Sequence, residues 1–173
     1  MRAVNKFPSQ DFSDILKANS QFVAEFQDEH LTGTARKGLA IVTCMDSRIN
    51  PLAVVGMKAG DAKILRNAGA RVTDDMLRTL VLATYLLSVD RVLVMPHTDC
   101  RMASGDEESI HASIEAKHGV NTRSIAFQMV ADQRAALAAD VESIRKFAIL
   151  PKTLKVAGAI YDVKTGRLEP VDC

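Results

Sequence analysis

The chain has 173 residues, 47% of them hydrophobic and 25% charged, a balance that fits one ordinary soluble domain able to bury a full core. Its 22 basic and 21 acidic side chains leave a net charge of +1, so no global field exists to hold phosphate backbones or acidic membrane surfaces, and neither nucleic acid nor membrane is expected as a partner. Cys44, Cys100 and Cys173 are too few and too scattered for a disulfide framework, which points to a reducing, cytoplasmic setting. The first 20 residues hold no apolar stretch long enough for a signal peptide and no run approaches a membrane span, so a soluble, unprocessed protein is expected.

In chain order, residues 9–29 read as a helix that Ser9 or Ser13 caps, with Ile15, Leu16, Phe22, Val23 and Phe26 recurring on one side. That stripe needs cover, from its own chain or from a partner subunit. "GLAIVTC", 38–44, is a β-branched run without alternation, as a strand buried on both faces requires. "DAKILRNAG", 61–69, is a second strand candidate followed by a turn. Residues 73–88 predict a mostly buried helix capped by Thr73. "RVLVMP", 91–96, is a third buried strand; 107–117 and 124–147 look helical; 153–171 reads as a strand and hairpin turning at Lys164–Gly166. Strands alternating with helices predict an α/β fold, a mostly parallel sheet with helices on both faces and the ligand crevice outside the carboxyl ends of the strands.

Cys44 and His97 each stand at such an end, and Cys100 follows His97 by three positions. They are 53 residues apart, but neighbouring strands lie only about 4.8 Å apart, so the fold can bring them together. Two thiolates and an imidazole suit Zn²⁺ better than Mg²⁺ or Ca²⁺. H-x-x-C alone is weak, since a free cysteine is often a small core hydrophobe. The third thiol, however, sits in "CMDSR", 44–48, where the Asp46 carboxylate and the Arg48 guanidinium can pair bidentately beside a metal. A cysteine phosphatase is disfavoured, because no glycine lies between Cys44 and Arg48 to let backbone amides cradle an anion. His30, His111 and His118 are expected to be solvated, and Asp99 to be an exposed turn residue or to orient a ligand.

"CMDSR" (44–48), "RNAGA" (66–70) and "HTDC" (97–100), with "GAIYDVKTGRL" (158–168) as a closing strand pair, resemble the β-class carbonic anhydrases over roughly 38–170. The resemblance implies that Cys44, His97 and Cys100 are zinc ligands, that Asp46 and Arg48 are the catalytic dyad beside the metal, and that Ala68 and Gly69 form part of the pocket wall. It also implies one domain over 1–173, an N-terminal helical arm (1–37) and a zinc-binding α/β core (38–173), assembled as a homodimer or larger homo-oligomer. Arg101 stands where members commonly have glycine and adds a side chain at the pocket rim. The implied reaction is reversible hydration of CO₂ to bicarbonate by hydroxide on the zinc. Two thiolates cancel the ion's charge, so Asp46 would orient the hydroxide while Arg48 keeps the carboxylate ionised. Asp46 would bind the zinc itself once that pairing is lost, with activity rising at higher pH. The alternatives are a hydrolase of CS₂ or COS and a catalytically silent zinc-binding regulatory module.

Overall fold

The computed structural model describes residues 6–173, so residues 1–5 of the expected arm lie outside the described residues. The chain divides into two compact units at Thr32 and Gly33. The first carries helix α1, Ser13–Glu25, shorter at both ends than the periodicity predicts. Neither serine caps it: Phe12 occupies the N-cap with no side-chain hydrogen bond, and the backbone turns extended at Phe26. No residue of α1 is buried, and Phe12, Ile15, Leu16, Phe22, Val23 and Phe26 are all exposed.

The second unit is built on five strands: β1 (Leu39–Cys44), β2 (Ala62–Asn67), β3 (Arg91–Met95), β4 (Lys155–Tyr161) and β5 (Leu168–Val171). Their order is β2-β1-β3-β4-β5, parallel except for the antiparallel β4–β5 hairpin, as expected of the α/β reading. Every residue of β1 is buried, which is why its sequence lacks alternation: this interior strand has core on both faces. On one face Ala40, Val42, Val92 and Val94 pack with α3 (Asp74–Leu86) and α5 (Gln133–Lys146). On the other, Ile41 and Met95 pack with Ile49 and the short helix α2 (Pro51–Val54), which the sequence reading passed over.

Thr73 caps α3 by accepting the Met76 N–H, as predicted. Burial of α3 is one-sided: Met76, Leu80 and Ala83 are buried while Leu82, Tyr85 and Leu86 are exposed, because only one stripe of a helix can face the sheet. Helix α4 spans Glu107–His118. The helix expected over 124–147 begins only at Gln133. Asp132 caps it by accepting the Arg134 and Ala135 N–H groups, and the Glu107 carboxylate takes the Phe127 and Met129 N–H groups that a helix would have used. His111 is also not solvated. It is the one buried residue of α4, its Nδ1 pairs with Thr122 Oγ1 at 2.8 Å, and its ring lies 5.1 Å from that of Phe127. Among the described residues, no helix is long and apolar enough to cross a membrane.

Candidate metal centre

The parallel register places the carboxyl ends of β1 and β3 side by side, Thr43 opposite Met95. Thr43 Oγ1 donates to the Met95 carbonyl at 2.7 Å, joining the two strand ends with a buried hydrogen bond. Immediately beyond them lie Cys44 and, after Pro96, His97. The Cys44 and Cys100 Sγ atoms are 4.0 Å apart, and their ligand atoms and that of His97 all lie within 4.8 Å of one another. All three residues are buried, so the sequence-distant thiols and imidazole do converge.

The surroundings of His97 fix which nitrogen is available. Its Nδ1–H donates to the Thr98 carbonyl at 2.8 Å, leaving the Nε2 lone pair free. That Nε2 is buried and has no hydrogen-bond partner, in a residue with 0% exposure. A buried polar atom without a partner costs roughly 1–3 kcal/mol, and one within 4.8 Å of two sulfurs can be satisfied by a cation. The spacing fits as well: two sulfurs at about 2.3 Å from a tetrahedral zinc are separated by about 3.8 Å, close to the 4.0 Å observed. Burial pushes the Cys100 thiol up to about 11, helped by Cys44 and Asp46 nearby, so with no cation it stays protonated. The donor set therefore suits a soft or borderline divalent ion that stabilises thiolates.

Asp46 and Arg48 sit beside this cluster. Arg48 Nε and Nη2 donate to Asp46 Oδ1 and Oδ2 at 3.0 and 2.7 Å, and the Arg48 backbone N–H adds a third bond at 2.9 Å. These bonds hold the Asp46 carboxyl well below the usual carboxylate range. Asp46 Oδ2 is 3.8 Å from His97 Nε2. Asp99 is exposed, with a positive φ of 55°, yet it has a second use: its Oδ2 accepts from Arg48 Nη1 at 2.8 Å and its carbonyl from Nη2 at 3.0 Å. The guanidinium thus bridges the "CMDSR" and "HTDC" turns.

Gly69 lies against the cluster, its N–H donating to Cys44 Sγ at 3.4 Å, in a short 3-10 turn over Ala68–Ala70. Gly69 has φ 81°, and a Cβ there would meet the Met102 Cβ at 3.1 Å, so glycine is favoured both by conformation and by space. Arg101 is exposed at the start of the Arg101–Ala103 turn. Sequence reasoning gave no role to Arg66, which donates to the carbonyls of Cys44, Asp46 and Ile49, nor to Gln133, whose Nε2 donates to the His97 carbonyl at 2.8 Å. A cation next to the end of the half-buried strand β2 was the available signal for Arg66; Gln133 had none.

A family model described as carbonic anhydrase matches residues 39–113. Beta-carbonic anhydrase 1 of Mycobacterium tuberculosis is 30% identical over 164 residues, 91% of this chain and 96% of its own length. Carbon disulfide hydrolase of Acidithiobacillus thiooxidans is 27% identical, covering 76% of each chain. The crystal structure of a carbonic anhydrase from Streptococcus mutans superposes with a TM-score of 0.87 at 33% identity, over 98% of this chain and 100% of the other. Shared sequence along almost the whole length, a shared fold and a cluster built to take a metal ion lead to one assignment: this chain belongs to the β-carbonic anhydrases, a family of zinc enzymes.

Proposed function

We propose that the protein catalyses the reversible hydration of CO₂ to bicarbonate, with Cys44, His97 and Cys100 holding zinc, Asp46 acting on the attacking water and Arg48 positioning Asp46. The observation that carries this reading is the orphaned His97 Nε2, buried against two thiols with the Asp46 carboxylate 3.8 Å away. Zinc held by three protein ligands with a fourth position open supplies a water acidic enough to lose its proton near neutral pH. The chain's own residues do the rest. Asp46, ionised because Arg48 grips it on both oxygens, would accept a hydrogen bond from the attacking water or hydroxide at Oδ2 and so orient that oxygen's lone pair toward the substrate carbon. Released from Arg48, the same oxygen, 3.8 Å from His97 Nε2, would be a competing ligand for an ion held there. Ala68 and Gly69 wall the pocket beside Cys44, with the Gly69 N–H on its sulfur.

Hydrolysis of CS₂ or COS is the second reading, favoured by the likeness to a carbon disulfide hydrolase. A silent zinc module is the weaker alternative, since a purely structural site has no need of the Arg48 grip on Asp46. The exposed apolar stripe of α1 supports a homo-oligomer in which residues 1–37 form an arm on a single-domain protomer, and unbridged thiols support a cytoplasmic setting. Stopped-flow CO₂ hydration on protein of measured zinc content, run across pH and beside CS₂ and COS turnover, tests the reading. CO₂ turnover proportional to zinc content and rising with pH is expected; zinc-loaded protein turning over only CS₂ or COS, or nothing, overturns it.

A further inference from the structure

The mechanism leaves unused a partly buried ion pair in a cleft that Cys100 also lines. Asp140, on the inner face of α5, is 5% exposed and receives Arg71 Nε at 2.7 Å, Arg71 Nη2 at 3.3 Å and the Val72 N–H at 3.2 Å. The pair stands in a cleft lined mostly by apolar side chains such as Val94, Val130 and Leu137, with Gln133 and Cys100 in the same wall. Burying a carboxylate such as Asp140 costs desolvation that its pairing with Arg71 only roughly repays, and fixing one conformation is the best-attested use of such a pair.

What it fixes is the turn that touches the metal ligand. Arg71 closes the Asn67–Arg71 loop through two bonds to one side chain: Asn67 Nδ2 donates to the Arg71 carbonyl at 2.7 Å and the Arg71 N–H donates to Asn67 Oδ1 at 2.9 Å. Inside the loop Gly69 and Ala70 both have positive φ, 81° and 60°, and Ala70 is buried at 1% exposure. A non-glycine residue in the left-handed region costs on the order of 1–3 kcal/mol and persists only where its surroundings over-determine it. Asn67 and the Arg71–Asp140 pair supply that constraint, and its result is a Gly69 N–H aimed at Cys44 Sγ at 3.4 Å. An N–H bond to a metal thiolate draws charge from the sulfur and leaves the ion a stronger Lewis acid, which a centre with two thiolates needs.

We infer that Asp140 is a positioning residue for the metal centre: through Arg71 and Asn67 it holds the Ala68–Ala70 turn so that the Gly69 N–H hydrogen-bonds the Cys44 sulfur. This rests on the reading of Cys44 as a metal ligand. The test uses the full chain reconstituted with ¹¹³Cd²⁺ alone, recording correlations between cadmium and protons. The native protein is expected to show coupling from cadmium to the Cys44 and Cys100 Hβ protons and, across the hydrogen bond, to the Gly69 amide proton. In Asp140→Asn, which keeps an acceptor for the Val72 N–H, and in Asn67→Ala, the cysteine couplings persist and the Gly69 coupling is lost. If Asp140→Asn folds too poorly, Arg71→Lys, which keeps a cation but not the two-point grip, is expected to lose it as well. Absence of the cysteine couplings in the native protein overturns the ligand assignment. Their presence with a Gly69 coupling that is missing in the native protein, or that survives in the folded variants, overturns the role of Asp140 and leaves the ligand assignment standing.

Discussion

Arg48→Ala tests the relation between the carboxylate and the metal cluster most directly. In the native protein one guanidinium makes two side-chain bonds to Asp46, at 3.0 and 2.7 Å, and two bonds to Asp99, at 2.8 and 3.0 Å. Removing it takes away both side-chain donors that hold Asp46 and leaves its Oδ2 at 3.8 Å from His97 Nε2. Two ligands at about 2.0 Å from a tetrahedral zinc stand about 3.3 Å apart, so the observed separation from His97 Nε2 is close to that of two ligands on one ion. Loss of an outer residue that orients a metal ligand or its water costs about 10- to 100-fold in activity, and that fall is expected in kcat for CO₂ hydration at pH 7. Zinc content should stay at the native level, because none of Cys44, His97 and Cys100 is touched. The assay is stopped-flow hydration with zinc measured on the same sample. Combining Arg48→Ala with Asp46→Asn, a poorer ligand, should cost less than the product of the two single losses, since both act on one interaction. Near-native turnover of Arg48→Ala at full zinc content would refute the reasoning.

Other outcomes follow from the same geometry. Cys100→Ser should abolish stoichiometric zinc binding, measured by chelator competition, because a buried hydroxyl replaces the thiolate 4.0 Å from Cys44 Sγ. Gly69→Ala should lower stability by about 1–3 kcal/mol in denaturant titration, since the new Cβ meets Met102 at 3.1 Å in a backbone with φ 81°. On the acid side, Asp61 is held below its ordinary value by the Lys58 N–H and the Arg36 guanidinium, and Asp162 by the Lys164 N–H and Thr165. Their unfolded forms therefore bind protons first as pH falls, so the stability they contribute is complete above about pH 4 and is lost as pH drops through the folded values. The melting temperature should fall below pH 4, and Asp61→Asn should make that decline shallower; an unchanged slope would show that Asp61 does not contribute.

Much of the architecture is written in local pattern. The unbroken apolar run of β1 requires a strand covered on both faces, and the Thr73 cap with its following apolar stripe requires a helix, because backbone satisfaction and burial leave few options. The side chains of the Cys44, His97 and Cys100 cluster were equally legible as candidate ligands, since thiolate and imidazole chemistry belongs to the residues themselves. The start of α5 was harder to read: alanine-rich sequence favours helix from 124 onward, but Glu107, distant in sequence, takes the Phe127 and Met129 N–H groups and delays the helix to the Asp132 cap. His111 looked solvated on a polar helix and is instead covered by Thr122 and Phe127 of the next loop.

Sequence by itself determined which chemistries were available, because ligand type, charge and hydrophobic period are properties of single residues and their near neighbours. Tertiary structure alone decided how those groups are held: that His97 Nε2 is left without a partner, that Arg48 joins two turns, and that Asp140 and Arg71, 69 residues apart, brace the turn against Cys44. The physical reason is range. Those constraints are hydrogen bonds a few ångströms long between groups far apart in sequence, and only folding brings such groups within reach of one another.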